Sequence, residues 1–140
     1  MTAEATNPSW WAELVGISEV LADTDRADIE HWRGPEPGDD DSLPPLTVRL
    51  SVLGAAYGKH AAEFSPDQVR RLFGLVERVM TEGTDEEGTA VATGFLEAVL
   101  SAWDEGLDLA AVWEHVGPRS REYCRGWNDF TGVGTPGWMR

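Results

Sequence analysis

The stretch VATGFLEAVLSAW, residues 91–103, constrains the fold more than any other part of the chain. Wound as a helix, it spreads Val91, Ala92, Phe95, Leu96, Val99, Leu100 and Trp103 around most of its circumference. Only Thr93, Glu97, Ser101 and, just past its end, Asp104 make a narrow polar stripe. A helix that is apolar on more than one side has to be packed on more than one side, so this chain needs neighbours around a central rod. Gly94, mid-helix, costs about 1 kcal/mol relative to Ala. Its value there is the space it leaves for another backbone to come close.

The segments on either side supply those neighbours. Ser65-Pro66-Asp67-Gln68 combines an N-cap serine, a proline at the first helical position and a Gln three residues after the cap. Val69, Leu72, Phe73, Val76, Val79 and Met80 then recur at helical spacing, with Arg70, Arg71, Glu77 and Arg78 on the other side, until Gly83. Thr84-Asp85-Glu86-Glu87 is a second capping box, its acids in the first turn where the helix dipole favours them. After Gly106, the residues Leu109, Val112, Trp113 and Val116 predict a short helix. Gly117-Pro118 opens a last one, with Tyr123, Cys124, Trp127 and Phe130 expected inward. Toward the N-terminus, Asn7-Pro8 starts a helix bearing Trp10, Trp11, Leu14 and Val15. A second piece spans residues 17–32, its pattern interrupted by Asp23, Asp25 and Asp28.

LTVRLSV, residues 46–52, alternates as a strand would. Leu46, Leu50, Leu53 and Tyr57 fit a helix equally well, and no second strand exists for it to pair with, so helix is the expectation. The whole predicts an all-α, single-domain protein over residues 1–140, a bundle or HEAT-like stack of five to seven short helices. Residues 33–45 form a Pro/Gly-rich acidic loop containing Asp39, Asp40 and Asp41, and residues 131–140 a turn-rich C-terminal tail.

Charge narrows the class of partner. The net charge is −14, and its distribution is uneven: residues 83–117 carry 8 acids and no base, while residues 118–140 carry 2 acids and 4 bases. Phosphate backbones and anionic membranes repel such a chain, so neither nucleic acid nor membrane is an expected partner. No basic start with an apolar run, no membrane-length apolar stretch and a single cysteine together predict a soluble, cytoplasmic protein without disulfides.

Catalytic, cofactor and metal signatures fail on context. GVGTPG, residues 132–137, has the spacing of a dinucleotide fingerprint but follows a helix, where the chemistry needs a strand before it and a helix after. His31, His60 and His115 lie far apart and form no metal-binding pair. Asp39–Asp41 lacks calcium-loop spacing. Cys124 has Arg119, Arg121 and Arg125 nearby, which would lower a thiol pKa, yet it shares an apolar face with Tyr123 and Trp127 and has no local base. The expectation is a structural cysteine, with no cofactor and no enzyme.

VATGFLEAVL (91–100), GPRSREYCRGW (117–127) and TGVGTPG (131–137), in this order and spacing, resemble a small family of uncharacterised bacterial helical proteins. The resemblance covers residues 45–137 and implies an all-α fold. It also associates the chain with the neighbourhoods of polymorphic toxin genes, where immunity proteins are found. It brings no catalytic residues.

The functional expectation is therefore a non-enzymatic, immunity- or antitoxin-like protein whose acidic surface neutralises a basic toxin domain. Asp85, Glu86 and Glu87 at one helix start, and Asp104, Glu105, Asp108 and Glu114 around the next turn, would face the partner. Trp103 or Trp113 would supply apolar anchors, and the Asp39–Asp41 loop a second contact. The alternative is a helical adaptor or oligomerisation module whose acidity serves solubility.

Overall fold

Both anticipated capping boxes form. The Ser65 hydroxyl accepts from the Gln68 amide while Gln68 Oε1 accepts from the Ser65 amide at 2.8 Å. Thr84 and Glu87 reciprocate in the same way, at 3.1 and 3.0 Å. These boxes start two of the helices of the protein, whose computed structural model describes residues 7–35 and 42–140. The helices are α1 (Trp11–Val15), α2 (Glu19–Arg33), α3 (Leu46–His60), α4 (Pro66–Glu82), α5 (Asp85–Ala90), α6 (Glu97–Asp104), α7 (Leu109–Val112) and α8 (Pro118–Thr131). A π-helical segment, Val91–Leu96, joins α5 to α6 without a break, so the described residues hold seven helical rods and no strand. In that segment the Glu97 amide reaches back five residues to the Ala92 carbonyl. The fold is an all-α bundle.

The rod α5–α6 is enclosed as its composition requires. Val91, Phe95, Leu96, Val99 and Leu100 are all buried. LTVRLSV is helical: it opens α3, with Leu50, Leu53 and Tyr57 buried and Val48 turned outward. α3 packs between α2 and the rod. A Cβ on Gly94 would meet the Thr47 carbonyl at 2.6 Å, and one on Gly54 would meet the Phe95 carbonyl at 2.7 Å. With Gly58 against Ala102, these glycines let α3 and the rod approach backbone to backbone. Tyr57 then meets Phe64 and Phe73 edge-on, and Phe73 meets Phe95.

The acids that interrupt α2 have different fates. Asp25 is buried and takes a two-pronged contact from Arg49 of α3, at 3.1 and 2.8 Å. It also accepts from the Trp11 indole, and the Arg49 guanidinium lies 4.1 Å from the Trp11 ring centre. Asp23, by contrast, is exposed and pairs with Arg26. Asp28 has one carboxylate oxygen buried without a partner among the described residues.

α8 is turned relative to expectation. Ser120, Cys124 and Asn128 face the core, whereas Phe130 is 83% exposed and Tyr123 and Trp127 are only half-buried. Partners from distant segments cause the turn. Glu77 of α4 accepts from the Arg119 and Ser120 amides and the Ser120 hydroxyl, each at 2.9 Å, capping a helix whose own N-cap is Gly117. Asn128 meets the Met139 sulfur. The C-terminal tail is consequently docked: Met139 is fully buried, and Trp138 lies edge-on to both Trp103 and Trp113.

Candidate functional site

The acidic residues singled out from sequence do not form one patch. Asp85, Glu86 and Glu87 begin the rod, and Asp104 and Glu105 end it. At 1.5 Å per residue the two ends stand roughly 30 Å apart. Asp85, Glu86, Asp104 and Glu105 are exposed, and no cation among the described residues pairs with them.

Glu87, Asp108 and Glu114 belong to a different category from those four. Glu87 is committed to the fold: one oxygen completes the capping box and the other accepts from the Trp10 indole at 3.1 Å. Asp108 caps α7 by accepting from the Ala111 amide at 3.2 Å while remaining exposed. Glu114 is exposed and lies 3.5 Å from His115.

Of the two proposed anchors, Trp113 is corrected and Trp103 stays partly accessible. Trp113 is a core residue, 6% exposed, and cannot present its ring to a partner. Trp103 is partly buried against Trp138. Flanking the Gly106 turn suggested exposure for both, but the tail returns to cover them. A groove of about 820 Å³ does open beside that turn, between α3 and the end of α6, with Lys59, Glu105 and Asp108 on its walls. A second, of about 470 Å³, runs past Ala111 and Val112 toward Glu114 and His115. This corner can offer carboxylates beside apolar side chains. Asp39, Asp40 and Asp41 lie outside the described residues.

Most arginines have intrachain partners, although among the described residues only the Arg49 pair is buried. Arg26, Arg49, Arg70 and Arg78 hold Asp23, Asp25, Asp67 and Glu13. Arg33, Arg121 and Arg125 donate to the backbone carbonyls of Ser42, of Val116 and Trp113, and of Met139.

Sequence reasoning missed an aromatic groove between α4 and α8. It holds about 580 Å³, floored by Met80 and walled by Tyr123, Trp127 and Phe130. The Trp127 and Phe130 ring centres are 6.0 Å apart. Tyr123 is fixed by its hydroxyl, which donates to Glu97 of the rod at 2.5 Å. Burial and then the Glu97 carboxylate raise that hydroxyl's pKa well above the ordinary phenol value. The signal was present as three rings at i, i+4 and i+7, but an inward face has the same spacing.

Cys124 is buried, and burial pushes its thiol up to about 12, so it carries almost no thiolate at neutral pH. His60 sits beside Glu63, and His115 beside Glu114. Among the described residues, no group of three or more His, Cys, Asp and Glu is placed to hold a metal ion. Nor, among the described residues, is any helix long and apolar enough to cross a membrane.

The chain belongs to the family described as a domain of unknown function (DUF7674), whose model matches residues 19–132. The match takes in every helix from α2 to α8. No curated protein and no solved structure matches the chain.

Proposed function

We propose that this protein is a non-enzymatic, cytoplasmic binding protein of the immunity or antitoxin kind, which neutralises a basic toxin domain through its acidic surface. One observation carries the reading: Asp85, Glu86, Asp104 and Glu105 stand exposed without cationic partners among the described residues, while Arg26, Arg49, Arg70 and Arg78 are each paired with another carboxylate. The helix dipole favours Asp85 and Glu86 at the start of the rod, whereas Asp104 and Glu105 at its end oppose stability slightly. Their unrelieved charge favours fast association with a cationic cleft of the kind nucleic-acid-directed toxins need. The resemblance to proteins from toxin-gene neighbourhoods points the same way.

The test requires the basic toxin domain encoded beside this gene, measured by surface binding kinetics at low and high salt. Charge reversal should be confined to Asp85, Glu86, Asp104 and Glu105, because altering Glu87 or Asp108 would also remove a helix cap. The four-fold variant is expected to associate more slowly, with the loss shrinking as salt rises, since exposed charges are screened beyond roughly 8 Å at physiological ionic strength. Unchanged association in a variant of intact helicity would assign the charge to solubility and favour the adaptor reading.

A further inference from the structure

We propose that the groove between α4 and α8 docks a cationic, amphipathic helical segment of a partner protein. Its apolar side would lie on Tyr123, Trp127 and Phe130, and its basic side toward Glu122 and Asp85. The inference rests on the basic-partner reading above and adds the surface that would receive the segment.

Phe130 is the most exposed of the large hydrophobic residues described, at 83%, and it closes one end of the groove rather than standing alone on the surface. Scattered exposed apolar residues are ordinary; three rings and a methionine converging on one cleft mark an interaction site. Met80 adds an adaptable floor, since its unbranched thioether can repack against different side chains.

Charge selects the occupant. Glu122 lines the aromatic groove itself. A second groove of about 470 Å³ shares Met80, Arg119 and Tyr123 with it and continues to Asp85 in the first turn of α5. Arg119, the cation at the junction, spends its backbone amide on Glu77 and leaves its side chain exposed. The joined cleft thus has aromatic walls at one end and two carboxylates against one arginine in its lining, on a chain of net charge −14. Arginine and lysine heads stack favourably on such rings while pairing with such carboxylates. A second copy of this chain is the wrong occupant, because two bodies of net charge −14 repel.

The experiment is a titration of ¹⁵N-labelled protein with a fourteen-residue helical peptide bearing arginines on one face and leucines on the other. A control peptide has glutamates in place of the arginines. The arginine peptide is expected to shift the Trp127 indole N–H and the Glu122 and Asp85 amides. Phe130→Ser should weaken it by about tenfold or more, and Glu122→Lys should weaken it in a salt-dependent way. Because the Phe130 ring is exposed, the Phe130→Ser variant should keep its melting temperature, which separates lost docking from lost fold.

Shifts confined to the α6–α7 corner, with full affinity in Phe130→Ser, would overturn the groove assignment while leaving the basic-partner reading intact. Equal binding of the glutamate peptide, or binding of neither, would overturn the groove proposal, while the basic-partner reading is decided by the association kinetics of the four-charge variant. A concentration-dependent dimer in sedimentation that Phe130→Ser abolishes would give the groove to a second copy and overturn the proposal.

Discussion

α3 and α8 are helices of 15 and 14 residues that use side-chain size in opposite ways. α3 is enclosed. Where it crosses the rod its own Gly54 and Gly58, with Gly94 opposite, remove side chains so that backbones touch, and its one large polar residue in the interior, Arg49, is matched to Asp25. α8 is seated on one side only. It contacts the core through small and polar residues, Ser120, Cys124 and Asn128, and holds its rings toward the edge and the solvent. The contrast separates two meanings of an aromatic or apolar pattern. In the enclosed helix it reports what the fold buries, and in the open helix it reports what the fold leaves available.

If α3 is the closed side, its polar residue should be the most sensitive position. Arg49→Ala strands the Asp25 carboxylate and is expected to lose about 3–5 kcal/mol, the usual result of breaking one half of a buried pair. Chemical denaturation would measure this, and a loss below about 1 kcal/mol would show that water reaches the site and that the helix is less enclosed than described. Gly94→Ala comes next. Its Cβ would press on the Thr47 carbonyl at 2.6 Å, a backbone atom that cannot swing away. A cost of about 1–3 kcal/mol is expected despite the better helix propensity of Ala. A stabilised variant would mean the seam can open without penalty.

Smaller effects sharpen the contrast. The Asp28 carboxyl is raised above its ordinary value of 3.8 by burial first and by the Asp25 charge second. Its charged form therefore weakens the fold at neutral pH. That penalty fades as pH falls through the folded-state pKa and is gone below the unfolded value. Asp28→Asn should accordingly stabilise at pH 7, by under about 1 kcal/mol, and the gain should vanish below about pH 4. Thermal melts at the two pH values would reveal it, and a gain independent of pH would point to some cause other than charge. At the bottom of the scale, Phe130→Ser should change stability by no more than about 0.5 kcal/mol, as for an exposed position. A large loss would place the ring in the core and erase the difference between the two helices.

Much of the architecture was legible because local chemistry and global packing agree over long stretches. Ser65 and Thr84 carry their caps within four residues, and α4 presents Val69, Leu72, Phe73, Val76 and Val79 to the core as its spacing requires. The strand-like LTVRLSV was resolved by the absence of anything to pair with. What the sequence leaves hidden lies where a residue's environment is made by a distant partner. Arg49 is buried because Asp25 lies opposite it on α2, 24 positions away in sequence. Trp113 is covered by Trp138, which belongs to a tail that reads as loose. On α8, Ser120 and Asn128 pass for surface residues until Glu77 and Met139 arrive from elsewhere. The candidate site was harder still. The acids could be counted, but only the rod's length separates them into two ends, and only the turn of α8 brings Phe130 outside.

The π-helical segment at Val91–Leu96 bears on how the chain can vary in length. A wide turn of this kind absorbs one residue more than α geometry would hold between the same two flanks. Deleting the exposed Thr93 would relax the rod into a plain helix while Asp85 and Asp104 kept their bearings. The same deletion in α4 would swing every later side chain by about 100° and take Glu77 away from the start of α8. Insertions and deletions among relatives are thus expected to gather at this one stretch of an otherwise length-intolerant core.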